Sequence, residues 1–170
     1  MRIFLVGYMG VGKTTLAKAI AKSLAHAFVD TDAMVSALEG KSINDIFAEK
    51  GEAYFREKEQ ACLRRLNKRM DIVVATGGGL PCFHDNMDWM NANGHTVYLY
   101  MSPEGIYKRL KNDKAERPLV KDFCDEKLYA FINQSLAYRN SFYLKSRTVF
   151  EVSNGEISSL VEVLKLSNNP

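Results

Sequence analysis

Short apolar runs alternate with longer amphipathic stretches along the whole chain. The runs "RIFLV" (2–6), "AFVD" (27–30), "IVVAT" (72–76), "HTVYLYM" (95–101) and "RTVFEV" (147–152) favour β-branched and aromatic residues without strict alternation of apolar and polar positions. Strands of that kind belong to a sheet buried on both faces. Between them, "GKTTLAKAIAKSLA", two or three stretches reaching to about Met70, "FHDNMDWMNAN", segments near 103–111 and 123–140, and the C-terminal stretch follow helical spacing. Strands separated by helices predict an α/β fold with a parallel sheet covered on both sides. One polar stretch, "KNDKAERPLVKD" (111–122), breaks the pattern. Pro118 stops any helix there, and the segment reads as a mobile flap.

A chain of 170 residues has the size of one domain with a real core. Its 46% hydrophobic content and 18 aromatic side chains exclude a disordered chain. A net charge of +3 does not indicate a nucleic-acid binder, yet it suits an anionic small molecule if the cations converge on one site. Cys62, Cys82 and Cys124 are odd in number and widely spaced, so they read as reduced thiols rather than a disulfide framework or a zinc site. Neither a signal-peptide core nor a run near the ~20 residues of a membrane span is evident. A cytoplasmic protein without membrane contact is therefore expected, and a monomer is the default.

Candidate chemistry starts directly after the first strand, where "GYMGVGKT" (Gly7 to Thr14) satisfies G-x-x-x-x-G-K-[ST] between a strand and a helix. In such a P-loop the backbone N–H groups, here those of Gly10, Val11 and Gly12, turn inward around phosphate oxygens, and the helix that follows presents its positive end. Lys13 is then expected at the β and γ phosphates, Thr14 as a direct Mg²⁺ ligand and Thr15 as a nearby hydroxyl contact, which does not yet separate a kinase from a GTPase or a motor. No N-K-x-D sequence occurs, which lowers a GTPase reading.

Three further places could serve the second substrate. "VDTD" places Asp30 and Asp32 at i and i+2, on one face if extended geometry continues. Mg²⁺, reached through water, gives Asp30 a purpose, and a hydroxyl to orient or deprotonate gives Asp32 one; alternatively, one of the two merely caps the helix starting near Ala33. In a helix from about Glu52 to Arg69, Glu59 falls inside the apolar stripe of Phe55, Cys62 and Leu66, within reach of Arg56. That pair either holds a guanidinium against an anion or is an ordinary surface ion pair. Finally, "TGGG" sets Gly77, Gly78 and Gly79 directly after the third strand, each costing roughly 0.5–1 kcal/mol relative to alanine. Close approach of a ligand and a simply flexible loop both explain them.

Taken together, the P-loop, "DTD", "FREKE", "TGGG", "ERPL" and "YRNSFY" in this order resemble the shikimate kinase family. Beyond the P-loop no single motif is specific, but their joint order and spacing are. The resemblance implies a three-layer P-loop NTPase fold like that of the nucleoside monophosphate kinases, with a five-stranded parallel sheet ordered 2-3-1-4-5. It also implies a single domain over 1–170, a substrate-binding excursion over about 31–60 and a lid over about 112–124. The implied reaction is transfer of phosphate from ATP, with Mg²⁺, to the 3-hydroxyl of shikimate, a step of chorismate and aromatic amino acid biosynthesis.

Position by position, the resemblance assigns the shikimate carboxylate to Arg56 and Arg139, with Glu59 supporting Arg56. Ring hydroxyls go to Asp32, also the expected base, and to the backbone of Gly77 to Gly79. Arg117 of "ERPL" corresponds to the lid arginine that meets the ATP phosphates, and Lys13, Asp32 and Arg117 form the implied catalytic set. Arg109 and Asn154 fall near positions that touch adenine in relatives. Ser141 stands where the family often has proline, which predicts a less rigid turn after Arg139. A gluconate kinase and a nucleotide-binding module without turnover are the rival readings.

Overall fold

Strand β1 (Arg2–Val6) is buried along its whole length because it lies at the centre of the sheet. The computed structural model describes residues 1–66, 71–112, 120, 122–152 and 157–167. In chain order, the described elements are β1, α1 (Lys13–Leu24), β2 (Ala27–Asp30), α2 (Thr31–Glu39), α3 (Ile43–Arg65) and β3 (Ile72–Ala75). A 3-10 turn (Leu80–Cys82) leads to α4 (Asn86–Asn93), β4 (His95–Tyr100), α5 (Pro103–Asn112), α6 (Asp125–Tyr143), β5 (Thr148–Glu151) and α7 (Ile157–Leu166). All strand pairs are parallel, and the sheet order is β2-β3-β1-β4-β5, as the resemblance implies.

Because successive side chains of a strand point to opposite faces, β1 feeds two cores. Ile3 and Leu5 pack with Val73, Val97 and Leu99 of the neighbouring strands and with Leu16, Ala17 and Ile20 of α1. Phe4 and Val6 pack on the other face with Val74, Tyr98, Leu63 of α3 and Met87 and Met90 of α4. The expectation of continuous burial holds for β1 and β3, whereas β2 and β5 are only partly covered because they are the edge strands. A third cluster, Val35, Ile46, Phe55 and Cys62, joins α2 to α3.

Two local expectations are corrected. Extended geometry does not continue through "DTD": β2 ends at Asp30, whose Oδ1 accepts from the N–H groups of Asp32 and Ala33 and starts α2 at Thr31. Asp32 therefore projects from the first turn of a helix. Likewise no turn follows Arg139, since α6 continues to Tyr143 and the Ser141 hydroxyl bonds the Tyr138 carbonyl at 2.9 Å. The helix expected over about Glu52 to Arg69 is the second part of α3, which is kinked at Gly51 (φ 79°) and ends at Arg65. Arg117, with most of the expected lid, and Asn154 lie outside the described residues.

Register positions the site. Leu5, Ala75 and Asp30 are paired across β1, β3 and β2, so all three strands end at one level. The P-loop, Asp32 and the glycine triplet consequently leave the same carboxyl-end rim, where parallel α/β sheets place their ligands.

Candidate active site

In the P-loop, Gly7, Gly10 and Gly12 have φ values of 146°, 82° and 94°, which side-chain-bearing residues rarely adopt. Gly12 is the N-cap of α1 and supplies no side-chain cap, so the first-turn N–H groups are left for an anion. Val11 is buried in the core and offers its backbone alone. The Lys13 ammonium donates to the carbonyls of Gly7 and Tyr8, both at 2.8 Å, which folds the side chain back over the loop. A cavity of about 380 Å³ opens above it, lined by the P-loop from Met9 to Thr15 except Val11, and by Asp30, Asp32, Thr76, Gly78 and Arg109.

Of the readings of Asp30, the helix cap is the one seen. One carboxylate oxygen caps α2, while Oδ2 accepts from the Thr14 hydroxyl at 2.9 Å. Thr14 and Asp30 thus present adjacent hard oxygen donors at the edge of the cavity. Among the described residues no group of three or more His, Cys, Asp and Glu side chains could cage a metal. This donor set suits Mg²⁺, which keeps several waters and takes its other ligands from phosphates.

The glycine triplet forms the floor between this cavity and a second set of groups. A Cβ on Gly77 would lie 2.5 Å from both Asp32 Oδ1 and Glu59 Oε1. On Gly79 it would lie 2.6 Å from the Arg56 guanidinium. Gly78 faces the P-loop and Arg139, yet a Cβ there would meet nothing nearer than the Gly7 carbonyl oxygen at 3.5 Å. Each glycine therefore borders a different predicted site residue, and two of the three positions have no space for a side chain. The loop is tied down as well: the Gly77 N–H donates to the buried Thr31 hydroxyl at 2.9 Å, and Thr76 bonds the Leu5 carbonyl.

Arg56 is fixed from several sides. It reaches Glu59 at 2.6 Å and Glu52 at 2.9 Å, and its guanidinium lies 4.2 Å from the centroid of the Phe83 ring. The Glu52 pair is half-exposed and contributes a few tenths of a kcal/mol, whereas Glu59 is only 1% exposed and its charge is held in place by Arg56. Burial lowers the Arg56 pKa, but the two carboxylates outweigh it and leave the guanidinium more firmly charged than usual. Burial drives the Glu59 carboxyl up to about 7 despite Arg56, and Asp32 adds to the rise. Asp32 is itself raised, first by burial and then by the charge of Asp30.

Arg139 comes from α6 and stacks on Tyr8, 5.3 Å from its ring centroid. Every described residue of the predicted site except the buried Val11 borders either the cavity or the triplet. Three contributors were not legible in the sequence: Thr31, Phe83 and the contact of Arg109 with the Val11 carbonyl at 3.1 Å, which brings a cation from α5 to the P-loop. Only the pairing of elements distant in sequence puts them there.

The arrangement joins the cavity beside the P-loop to a glycine loop bordered by two arginines and two carboxylates. Similarity to known proteins agrees with it. A family model described as shikimate kinase matches residues 9–166. The shikimate kinase of Parabacteroides distasonis is 47% identical over 150 residues, covering 88% of this chain and 87% of the relative. That of Phocaeicola vulgatus is 43% identical over 155 residues, covering 91% and 89%. Among solved structures, shikimate kinase from Bacteroides thetaiotaomicron superposes with a TM-score of 0.90 at 40% identity, covering 98% and 97% of the two chains. Shikimate kinase from Acinetobacter baumannii in complex with shikimate gives 0.83 at 33% identity, covering 99% and 94%. With the P-loop, "DTD", the arginine pair and the glycine triplet gathered on one rim of a 2-3-1-4-5 sheet, this chain belongs to the shikimate kinase family.

Proposed function

We propose that this protein transfers the γ-phosphoryl group of ATP to the 3-hydroxyl of shikimate, giving shikimate 3-phosphate and ADP. The observation that carries the reading is the position of Gly78, which lines the phosphate cavity on one side and borders Arg139 on the other. A hydroxylated ring lying on that backbone would have its carboxylate directed to Arg56 and Arg139 and one hydroxyl near Asp32. The hydroxyl oxygen forms a bond to the γ-phosphorus as the bond to the β–γ bridging oxygen breaks, and the hydroxyl proton passes to Asp32. A raised carboxyl is the better proton acceptor once ionised, and burial supplies that rise.

Lys13, released from the Gly7 and Tyr8 carbonyls, meets the charge on the transferring phosphoryl group. Arg117 is assigned the same task on the strength of the "ERPL" resemblance. Thr14 directly, and Asp30 through water, would hold Mg²⁺, which offsets phosphate charge when bound. Glu59 holds Arg56 against displacement.

The test is coupled ADP release over a panel of hydroxy acids. Release that depends on shikimate and not on gluconate is expected. The reverse preference identifies a kinase of open-chain sugar acids, and no acceptor dependence at all identifies a nucleotide-binding module.

A further inference from the structure

The hydroxyl of Tyr143 donates to the Gly78 carbonyl at 2.5 Å across 65 residues of sequence. Tyr143 is fully buried in the core beneath the sheet rim, so this carbonyl points inward. In a trans peptide the N–H of the following residue points the opposite way, and the chain has no cis peptide among its described residues. The N–H groups of Gly78 and Gly79 find no acceptor among the described residues. Tyr143 also sits one helical turn beyond Arg139 on α6, so both project from one side of the same helix.

We infer that Tyr143 is a positioning residue for the acceptor: by holding the Gly78 carbonyl it aims the Gly79 N–H outward, and it locks that donor to the helix bearing Arg139. Two parts of the acceptor site that are distant in sequence thereby act as one rigid unit. Burial raises the Tyr143 pKa, which keeps its hydroxyl protonated as the donor this contact needs. The neighbouring Tyr98, with ring centroids 5.1 Å apart, provides an internal control, because its hydroxyl donates to Asn140 and not to the glycine loop.

The inference rests on the shikimate kinase reading, and one experiment separates the two. ADP release by the wild-type chain with ATP and shikimate is measured first, and its absence refutes that reading and this inference with it. With the wild type active, Tyr143→Phe is expected to raise KM for shikimate roughly tenfold, the loss of about one positioned hydrogen bond. KM for ATP and kcat should stay within about twofold, since the P-loop takes its shape from its own glycine dihedrals and only Gly78 of the triplet lines the cavity. Tyr98→Phe should leave both KM values within about twofold. In amide spectra the Gly79 signal of ligand-free Tyr143→Phe should shift, whereas that of Tyr98→Phe should not. Equal effects of the two variants, or an equal rise in KM for ATP, would reduce Tyr143 to a packing role and overturn the inference. Should Tyr143→Phe not fold, the wild type still decides: a slowly exchanging Tyr143 hydroxyl proton is expected, and one that exchanges freely with water refutes the contact.

Discussion

In the turn after β1, Gly7, Gly10 and Gly12 all lie at positive φ, while in the turn after β3 none of Gly77, Gly78 and Gly79 does. The first set answers a demand of the local backbone, which must coil to present N–H groups to phosphate. The second set answers a demand for space: Asp32, Glu59 and Arg56 occupy the volume that side chains at Gly77 and Gly79 would need. A P-loop is accordingly recognisable wherever it occurs. The triplet acquires meaning only from α2 and α3, which deliver those charged groups to it.

The largest expected effect falls on the phosphate side of this contrast. Lys13→Met should lose about 3–4 kcal/mol of transition-state stabilisation, a drop of about 10²–10³ in kcat/KM, as for removal of a preorganised charge donor. Near-normal turnover would remove Lys13 from the reaction.

Next comes a pH effect confined to the acceptor side. Glu59 is raised in the folded protein from 4.5 to about 7, so between those values the folded state keeps a proton that the unfolded chain has lost. Stability should be greatest below about pH 4.5 and decline as pH rises to about 7, by on the order of 3 kcal/mol for this group alone. Urea unfolding at several pH values should show this decline flattened in Glu59→Gln. An unchanged slope would mean that Arg56 keeps Glu59 ionised throughout.

Paired alanine substitutions sharpen the contrast directly. Gly12→Ala forces a side chain onto φ 94° and should cost on the order of 1–3 kcal/mol of stability, seen as a lower denaturation midpoint together with weaker ATP binding. Gly79→Ala meets the guanidinium end of the Arg56 side chain and no backbone, so it should cost less stability than Gly12→Ala and raise KM for shikimate about tenfold by pushing the guanidinium off Glu59. If Gly79→Ala instead lowers stability as much as Gly12→Ala, the two turns are glycine-rich for the same reason.

The smallest effect belongs to Gly78→Ala. Its Cβ has ordinary contacts, so stability should hold while shikimate binding weakens a few-fold and ATP binding does not change. Calorimetric titration of both ligands checks this. Unchanged affinities with lowered stability would make the middle glycine a packing device.

Much of the fold was legible in the sequence because its signals are local. Apolar runs named the five strands, and G-x-x-x-x-G-K-[ST] located the phosphate cradle, since backbone dihedrals and helix N-termini depend on neighbouring residues. The aspartates were found, but not their geometry. Asp30 caps α2, as one reading of the sequence had it, and also meets Thr14, a contact the sequence did not offer. The contacts of Phe83 with Arg56, Arg109 with the Val11 carbonyl, Thr31 with Gly77 and Tyr143 with Gly78 left no sequence pattern, because each joins residues from 27 to 98 positions apart. Chain order thus determined which chemical groups are present and which local backbone can hold phosphate. Only the tertiary structure decided which of those groups share a pocket, because packing across the sheet rim sets the distances at which charges and hydrogen bonds act.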